Sequence, residues 1–582
     1  MLKRGWIAGM VVLAAAFAAP AVAQAATESL VTSGSPTTPF PQNKQNEPYV
    51  AIDPKNPDLV VAGSNEEIDE PKCGGDFGNE CPFALGIGNS GVYFSFDGGS
   101  NWTQPTYQGF SGRSGTGFGV SGCDGCGPGP IGTLPHYDEN GLVSDGDPVV
   151  AFGPRPDSQG RFSWNNGSRL YYSNLTSNFS TERSEATFRG FEAIAVSRAD
   201  RLRDAAADDE SAWSNPVVVT QQRQSQTTFS DKEDLTTDNA ASSRFFGNVY
   251  VCYARFNSQQ PDHPIKIAVS RSTDGGQTFS APHAVSTAHH QTNQDGRQGC
   301  QVRTDSNGVV YVVWEDSVGQ QAVFELAKSL DGGRSFGSPQ VVAQVSDAGI
   351  FDGVRSFSFD GIAGARTGSL PSLSIANGAP TGTGAPNTLA LGWSDAADGL
   401  NHEHALVQLS TDGGETWSGP DEVEQSGDRP DFAFLDISPN GSDLYVVYDG
   451  FSDPFRENTS DTRQFVGVLR HGDVSGTSLS NLTTLHRGAV GDARASSANA
   501  LIDEFIGDYN TVAATNDGAV ATFNDARNAA VCDDMNTYRQ AIANGTQPEP
   551  DAPAPATDCP PIGDTVFGNT DIYSAAAVDP TP

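Results

Sequence analysis

Beyond residue 25 the sequence contains no apolar run long enough to cross a bilayer, which takes about 20 consecutive residues. Long stretches with the period of an amphipathic helix, about 3.6 residues, are also nearly absent. Basic residues are scarce, with 34 Lys and Arg against 71 Asp and Glu and a formal net charge of −37. So acidic a surface repels nucleic-acid phosphates and anionic lipid headgroups. We therefore expect no nucleic-acid partner and no insertion into a membrane.

Turn-forming residues are abundant instead. The 64 Gly and 36 Pro residues favour an all-β protein rich in turns. At the start of the chain, Lys3 and Arg4 precede an apolar run over 6–23 that ends in Ala-Gln-Ala, a pattern typical of a secretory signal peptide over 1–25. An uncleaved membrane anchor is the alternative. We expect a soluble, monomeric protein that is secreted to the extracellular space or the periplasm.

Eight cysteines lie outside this leader, as is usual for a protein of an oxidising compartment. They fall into local couples, and we expect four disulfides that tether loops: Cys73–Cys81, Cys123–Cys126, Cys252–Cys300 and Cys532–Cys559. The alternative is a metal site on the Cys-x-x-Cys couple. Such a site needs a second Cys or His pair at compatible spacing, and none is evident in the sequence.

One pattern, Ser-x-Asp-x-Gly-x-Thr/Ser-aromatic, recurs along the chain. Three copies match it fully, over 272–279, 329–336 and 410–417, and a fourth over 95–102 has Asn101 in place of the hydroxyl residue. Each copy follows a strand-like run. The pattern is typical of a tight hairpin in which the Asp carboxylate accepts backbone N–H bonds, Gly supplies a positive φ and the aromatic side chain packs back on the sheet.

This pattern resembles the Asp box, or bacterial neuraminidase repeat, of sialidases and other β-propellers. In that family the box lies on the turn between the third and fourth strands of a blade, away from the active site. The resemblance therefore implies a propeller, and it gives structural rather than catalytic roles to four residues: Asp97, Asp274, Asp331 and Asp412.

A longer repeat supports the same architecture. Pairs of apolar strands separated by a turn begin seven times, about 60 to 100 residues apart. The seventh unit lacks a fourth strand, and we expect residues 28–32 to supply it, because closing the ring removes an exposed sheet edge. We predict an all-β fold, a single seven-bladed β-propeller over 26–582; six blades, as in sialidases, are the alternative. Loop insertions are expected at 72–91, 108–140, 173–189 and 529–565.

Candidate functional residues follow from this geometry, because first strands start and second strands end on one face of a propeller. Carboxylates crowded there raise one another's pKa, which keeps a general acid protonated near neutral pH. The candidate catalytic residues are Asp147, Glu233, Asp431, Asp508 and Tyr509, and the candidate substrate-binding residues are Arg255, Arg303, Arg527 and Glu47. The alternative roles for the acids are a binding surface, a structural Ca²⁺ site and the capping of turns.

Sialidases themselves hold the substrate carboxylate with three arginines, use a Tyr–Glu nucleophile pair and an Asp acid/base, and carry an Arg-Ile-Pro motif. This sequence has no Arg-Ile-Pro, and Tyr509 with Glu504 is only a candidate for the nucleophile pair. A His-Glu-x-x-His zinc motif is absent as well. His402 and His404 are a candidate metal pair, with an exposed pair in a loop as the alternative.

Three functions remain open at this point. We expect a secreted, exo-acting glycoside hydrolase, similar to sialidases, that acts on an extracellular glycan or glycoconjugate and requires no cofactor. A lectin-like propeller that binds carbohydrate or protein without catalysis is the alternative. A polysaccharide lyase is a third hypothesis, and it needs a Tyr or His base beside an Arg or a metal that neutralises a uronate.

Overall fold

The structure is a computed structural model that describes residues 26–33, 44–71, 83–113, 117–119, 122–220, 228–257, 266–286, 298–318, 321–352, 356–361, 365–498 and 501–582. Seven antiparallel sheets form most of it, and we number them as blades 1 to 7 in chain order. Within a blade the strands are numbered from the channel outwards.

The strands of blade 1 are Gln45–Asp53, Asn56–Glu66 and Ser90–Ser95. Those of blade 2 are Val149–Pro156, Phe162–Asn178, Ala193–Ala199 and Val217–Val218. Those of blade 3 are Thr228–Thr237, Val249–Asn257, Lys266–Ser272 and His283–Ala284. Those of blade 4 are Gln298–Thr304, Val310–Val318, Gln321–Ser329 and Gln340–Val345. Those of blade 5 are Ser372–Ile375, Leu389–Asp395, His404–Ser410 and Asp421–Glu422. Those of blade 6 are Arg429–Ile437, Asp443–Phe451, Gln464–Ser475 and Ser478–Arg487. Those of blade 7 are Thr511–Ala514, Gly518–Asp525, Asp571–Val578 and Thr27–Leu30.

Short accessory strands decorate the blades: Tyr107–Ser111 with Gly127–Ile131, Gly117–Gly119 with Gly122–Asp124, Ile350–Asp352 with Ser356–Ser358, Leu142–Ser144 on blade 2 and Gly491–Asp492 on blade 6. The α-helices are Leu202–Ala205, Asp533–Ala543 and Pro555–Asp558, and the 3₁₀ turns are Asp138–Asn140, Glu210–Ala212 and Ala493–Ala495.

The blades form a closed ring. First strands of neighbouring blades contact one another all the way round, and the first strand of blade 7 contacts that of blade 1. The strand Thr27–Leu30 pairs antiparallel with Asp571–Val578 and so supplies the outer strand of blade 7. Both predictions, seven blades and closure by the N-terminal strand, are confirmed, and the six-bladed alternative is wrong.

Each blade is buried on both faces, because side chains along a strand alternate between the two faces of its sheet. In the second strand of blade 3, Val249, Val251 and Tyr253 pack towards blade 2, whereas Tyr250 and Cys252 pack towards blade 4. Each such side chain contributes about 1.5–3 kcal/mol by leaving water. Burial on both faces explains why this strand reads as a continuous apolar run rather than as an alternating one.

A bulge interrupts the first strand near its start in blades 1, 3, 4 and 6. At the bulge, or just before the strand in blade 2, one residue adopts a left-handed backbone, with φ of 56° at Glu47, 51° at Asp147, 50° at Lys232, 61° at Gly299 and 48° at Phe432. L-amino acids seldom adopt this conformation, and where they do the strain is often tied to function. The repeated strain marks one rim of the ring.

The four recurrent turns share one set of hydrogen bonds. In the turn of blade 5, Thr416 donates its N–H to Asp412 Oδ1 at 2.9 Å and its hydroxyl to Asp412 Oδ2 at 2.6 Å, while Gly414 N donates to Ser410 Oγ at 2.9 Å. In blade 1, Asn101 Nδ2 replaces the hydroxyl and donates to Asp97 Oδ2 at 2.7 Å. All four turns follow a third strand, on the face opposite the rim with the strained residues.

Two predicted disulfides are present: Cys252–Cys300, which joins blades 3 and 4, and Cys532–Cys559. Cys126 is disulfide-bonded as well. The remaining predictions on cysteines concern positions outside the described residues, namely Cys73, Cys81 and the side chain of Cys123, and the predicted leader 1–25 lies outside them too.

Two loop predictions need correction. The insertion predicted over 173–189 is shorter, because the second strand of blade 2 continues to Asn178 and pairs there with Leu142–Ser144. The insertion over 529–565 contains the helix Asp533–Ala543, which packs beside the Cys532–Cys559 disulfide. Among the described residues, no helix is long and apolar enough to span a membrane.

We expect Asp412→Ala to lower the Tm, because the turn loses acceptors for the N–H and hydroxyl of Thr416. Asp412→Asn keeps one acceptor oxygen and should lower the Tm less. Thermal unfolding followed by circular dichroism measures both. A normal Tm for Asp412→Ala, or a loss of any activity in a protein that melts normally, would contradict a purely structural role.

Removal of residues 26–33 should lower the free energy of unfolding by about 3 kcal/mol or more, because blade 7 loses a strand and the buried Val31. Glu28→Gln weakens only the ion pair with Arg527 and should cost much less. Urea unfolding of the three proteins gives the comparison, and an unchanged midpoint in the truncated chain would show that the ring does not depend on this strand.

Candidate functional site

A cleft of about 800 Å³ opens on the rim where the first strands start. Among the described residues, two basic side chains line it, Lys232 and Arg366, together with ten acidic ones: Glu47, Glu67, Asp145, Asp147, Glu192, Asp231, Glu315, Asp347, Asp503 and Asp508. Phe83 and Leu85 stand at its edge with 56% and 59% of their surface exposed. The cleft therefore combines strongly acidic walls with an apolar edge.

A carboxyl pair lies at the base of the cleft. Glu47 from blade 1 and Asp147 from blade 2 are hydrogen-bonded to each other through their side chains. Burial raises the pKa of Glu47 well above its usual range, and the charge of Asp147 raises it further. Glu47 therefore keeps its proton at neutral pH and bonds Asp147 with it.

Backbone and amide groups hold this pair in place. Asn65 Nδ2 donates to Glu47 Oε2 at 2.8 Å, and Asn65 Oδ1 accepts the N–H of Asp147 at 2.6 Å. The N–H of Asp508 donates to Glu47 Oε1 at 2.9 Å. This approach requires Gly507, since a Cβ there would lie 2.7 Å from Glu47 Cγ. Glu47 is only 1% exposed, whereas the side chain of Asp147 keeps 14% of its surface open to the cleft.

An ion network compensates part of the acidity. The Lys232 ammonium lies 3.5 Å from Asp147 Oδ2 and contacts Asp508 Oδ2, and Arg366 Nε donates to Asp508 Oδ1 at 2.6 Å. Burial alone would raise the pKa of Asp508, but the charges of Arg366 and Lys232 outweigh it and hold that pKa below its usual range. Asp508 is therefore ionised. The expectation that crowding among carboxylates would raise the pKa does not hold for Asp508, because the sequence does not show its two cationic partners.

Three further acids form the wall of the cleft between blades 2 and 3. Burial raises the pKa of Asp145 to about 7 and that of Asp231 to about 6. Burial and the charges of these two neighbours raise the pKa of Glu192 to about 10. Several carboxyl groups of the cleft thus change charge between weakly acid and alkaline pH.

Tyr509 and Glu233 line a small cavity of about 40 Å³, which shares Asp147 and Lys232 with the cleft. Burial raises the pKa of Tyr509 well above its usual range, and the charges of Asp147, Glu47 and Glu233 raise it further. Glu233 is 7% exposed, and its Oε2 atom is buried without a hydrogen-bond partner. Burial raises the pKa of Glu233 well above its usual range, and the charge of Asp147 raises it further, so its ionised form is a strong base in the cavity that Tyr509 lines.

The structure brings five of the predicted site residues to this region: Asp147, Asp508 and Glu47 line the cleft, and Tyr509 and Glu233 line the small cavity. Asp431 does not line the cleft. It is fully buried, receives a bond from Thr367 Oγ1 at 2.5 Å, and pairs in strand register with Asp449. Glu504 is also elsewhere, next to Asp360, so it is no partner for Tyr509.

The three predicted arginines lie apart from the cleft. Arg303 points into the central channel with Gln301, as the alternation of the strand implied, and it pairs there with Asp234. Arg527 is bound by Glu28 and Asp525 and stacks 3.9 Å from the ring centroid of Tyr573. Arg255 lies opposite Ser230 in blade 3 and lines none of the cavities described above.

Sequence reasoning missed the two cations of the cleft. For Lys232 the sequence contains a signal, because this lysine lies between Asp231 and Glu233 at the repeat position of Glu47 and Asp147. Arg366 gave no signal, because it belongs to an irregular connection between blades 4 and 5 without periodic pattern.

Two groups of His and acidic side chains have ligand atoms within 4.8 Å of one another among the described residues: His404 with Glu422 and Glu424, and Asp443 with His471 and Asp579. Neither lies in the cleft or the channel, where a structural Ca²⁺ was considered. His404 bonds Glu424 at 2.9 Å, and His402 is exposed and does not belong to the group.

The fold and this geometry define a seven-bladed β-propeller with an acidic cleft at one end of its channel. No protein-family model matches the sequence, and no curated protein matches it. Among solved structures it is similar to a sialidase of Trypanosoma rangeli, with 9% identity and a TM-score of 0.38 over 77% of this chain and 60% of that one.

It is also similar to an ulvan lyase from a polysaccharide lyase family, with 11% identity and a TM-score of 0.38 over 83% of this chain and 91% of that one. A Dyadobacter fermentans protein of unknown function shares 10% identity and a TM-score of 0.37 over 75% of this chain and 100% of that one. At TM-scores this low, neither a reaction nor a substrate carries over.

Lys232→Met should lower the free energy of unfolding by about 3–5 kcal/mol at pH 7, because it removes the cation beside Asp147 and leaves Arg366 as the only cation bonded to Asp508 among the described residues. The stabilisation by the lowered pKa of Asp508 is present above its unfolded pKa, about 3.9, and is lost as the pH falls through the folded value. The loss in the variant should therefore shrink as the pH falls towards 3. Urea unfolding across this pH range tests it.

Lys55→Met, at an exposed lysine of blade 1, is the matched control and should show no such pH dependence. An equal loss for Lys232→Met at pH 3 and pH 7 would mean that packing, and not charge compensation, accounts for the effect.

Proposed function

We propose that this protein is an exported glycoside hydrolase that acts on an extracellular glycan through the cleft. One observation carries the proposal, the carboxyl pair Glu47–Asp147, in which Asp147 faces the cleft and the buried Glu47 behind it has a raised pKa. Glycoside hydrolysis needs a carboxylic acid that stays protonated near neutral pH to protonate the leaving oxygen. The two disulfides and the predicted leader suit an exported enzyme.

In this proposal Asp147 is the group that touches the substrate, and it donates to the glycosidic oxygen a proton that it receives from Glu47. Glu47 is a positioning residue, which holds that proton and is itself held by Asn65. Tyr509 attacks the anomeric carbon and passes its phenolic proton to the ionised form of Glu233, whose unpaired oxygen is the acceptor. Water then attacks the anomeric carbon and Asp147 takes up its proton, while the bond to Tyr509 breaks and Glu233 returns its proton to the phenolic oxygen.

The charge of the cleft favours neutral or cationic sugars. Both of its cations are engaged by Asp508, and ten acids line the same space. A sialic acid or a uronate would meet this negative field without a free counter-ion among the described residues. The excess of acidic side chains in the cleft therefore argues against sialidase and uronate-lyase activities. The exposed Phe83 suits stacking on the apolar face of a neutral sugar.

A lectin-like role is the second candidate, and a specific observation favours it. The Lys232 ammonium fills the space between Asp147 and Asp508, so the acids at the base of the cleft are partly neutralised by the protein itself. A cleft compensated in this way binds a polar ligand without needing to react with it.

The test is a turnover screen with neutral exo-glycoside substrates, amino sugars, sialosides and uronate polymers. We expect turnover of a neutral or amino sugar, and losses of at least about 100-fold in kcat for Asp147→Asn, Glu47→Gln and Tyr509→Phe. Asp431→Asn is the matched control, since Asp431 is an equally buried carboxyl that does not line the cleft, and its kcat should stay unchanged.

Unchanged turnover in Asp147→Asn and Glu47→Gln would move the chemistry away from the carboxyl pair. If no glycan is turned over while isothermal titration calorimetry detects sugar binding that Asp147→Asn weakens, the lectin-like role is the correct one. Turnover restricted to sialosides or uronates would contradict the charge argument.

A further inference from the structure

A second cluster of ionisable side chains lies on the face of the propeller opposite the cleft, between blades 6 and 7. In blade 6, Asp443 faces Asp473 across the second and third strands, and Tyr445 faces His471 two residue pairs further on. Residues two apart on a strand share a face, so all four side chains project to the same side of the sheet. Asp579, which follows the third strand of blade 7, completes the group.

The carboxylates converge on one imidazole nitrogen. His471 Nε2 lies 3.1 Å from Asp443 Oδ1, 3.8 Å from Asp579 Oδ1 and 3.9 Å from Asp473 Oδ1. Asp443, His471 and Asp579 are 3%, 1% and 8% exposed, so the group is enclosed, while Asp473 keeps a partly exposed edge. Such a convergence is costly unless a cation lies among the carboxylates.

The side chains of this cluster do not neutralise one another's charge. In the described part of the chain, no Lys or Arg forms an ion pair with Asp443, Asp473 or Asp579. A protonated His471 would supply one positive charge against three negative ones. A divalent cation bound by a neutral imidazole and the three carboxylates leaves a much smaller residual charge.

An independent observation points into the same space. The hydroxyl of Tyr445 is fully buried and has no hydrogen-bond partner. The ring centroid of Tyr445 lies 5.1 Å from that of His471, and Tyr445 shares a face of the sheet with Asp443, so the unpaired hydroxyl belongs to a side chain packed against the cluster. A hydrated ion among the carboxylates would give that hydroxyl a partner. His471 Nδ1 also has no hydrogen-bond partner. This nitrogen would be unpaired with either a proton or a metal ion on Nε2, so it does not distinguish between these two possibilities.

We propose that Asp443, His471, Asp473 and Asp579 bind a divalent transition-metal ion that fastens blade 6 to blade 7. One imidazole nitrogen with carboxylate oxygens suits Zn²⁺ or Mn²⁺, whereas Ca²⁺ takes six to eight oxygens. Thr581 supports the site from outside, since its hydroxyl donates to Asp473 Oδ1 at 2.6 Å and its N–H to Asp579 Oδ1 at 2.8 Å. The role is structural, because the site lies at the far end of the propeller from the cleft.

The test starts from the full-length purified protein, freed of metal with EDTA and titrated with ZnCl₂, MnCl₂ or CaCl₂ by calorimetry. We expect one equivalent of Zn²⁺ or Mn²⁺ per chain and a rise in Tm of about 2 °C or more at saturation. His471→Gln and Asp579→Asn should weaken the binding by more than about tenfold and abolish the rise in Tm. Asp473→Asn, at the partly exposed edge, serves if either of these variants fails to fold.

His404→Gln is the control, because His404 belongs to the half-exposed group with Glu422 and Glu424 on blade 5. It should bind the metal as the unmodified protein does. The proposal is overturned if neither Zn²⁺ nor Mn²⁺ binds or shifts the Tm, in which case a protonated histidine is the cation of the group. It is also overturned if His404→Gln loses the metal and His471→Gln keeps it.

Discussion

Closure of the ring is the constraint on which the rest of this structure depends. Each blade buries one face against the blade before it and one against the blade after it, so a blade with a missing neighbour would expose an apolar face. The outer strand of blade 7 comes from Thr27–Leu30, at the other end of the sequence from its partner Asp571–Val578. Pairing these distant segments fixes the number of blades and the positions of their first strands around the channel.

The cleft follows from that arrangement. Because first strands start on one rim, their left-handed bulges direct Glu47, Asp147 and Lys232 from three blades into a common space. The backbone strain at these positions is tolerated because packing between the blades fixes the strands on either side. Blade 4 has Gly299 at the same position, where the conformation costs little and no side chain enters the cleft.

Charge is distributed unevenly along the propeller. At the cleft, Lys232 and Arg366 compensate Asp508 and hold its pKa low, whereas the neighbouring Glu47 has a raised pKa beside Asp147. The neighbouring carboxyl groups of Glu47 and Asp508 thus differ in protonation at neutral pH, and acid catalysis requires such a difference. The opposite face has its own carboxylates with only one imidazole among them, and we infer a bound cation there rather than chemistry on a substrate.

The sequence by itself determined the architecture. Apolar runs at regular spacing, the recurrent Ser-x-Asp-x-Gly turns and an unpartnered N-terminal strand were enough to predict seven blades and their closure, because these signals are local and repeat. The couples Cys252–Cys300 and Cys532–Cys559 followed from spacing in the same way. Repeat position also brought Asp147, Asp508 and Glu47 to the correct rim.

Only the tertiary structure decided which of these acids interact, and with what. Asp431 directly precedes Phe432, which has the repeat position of Glu47, and it is buried outside the cleft, where its side chain accepts a bond from Thr367 in the connection between blades 4 and 5. Arg366 comes from that same irregular connection and reverses the expected pKa of Asp508. Protonation depends on burial and on charges a few ångströms away, and these come from segments far apart in the chain, so no local pattern of residues encodes them.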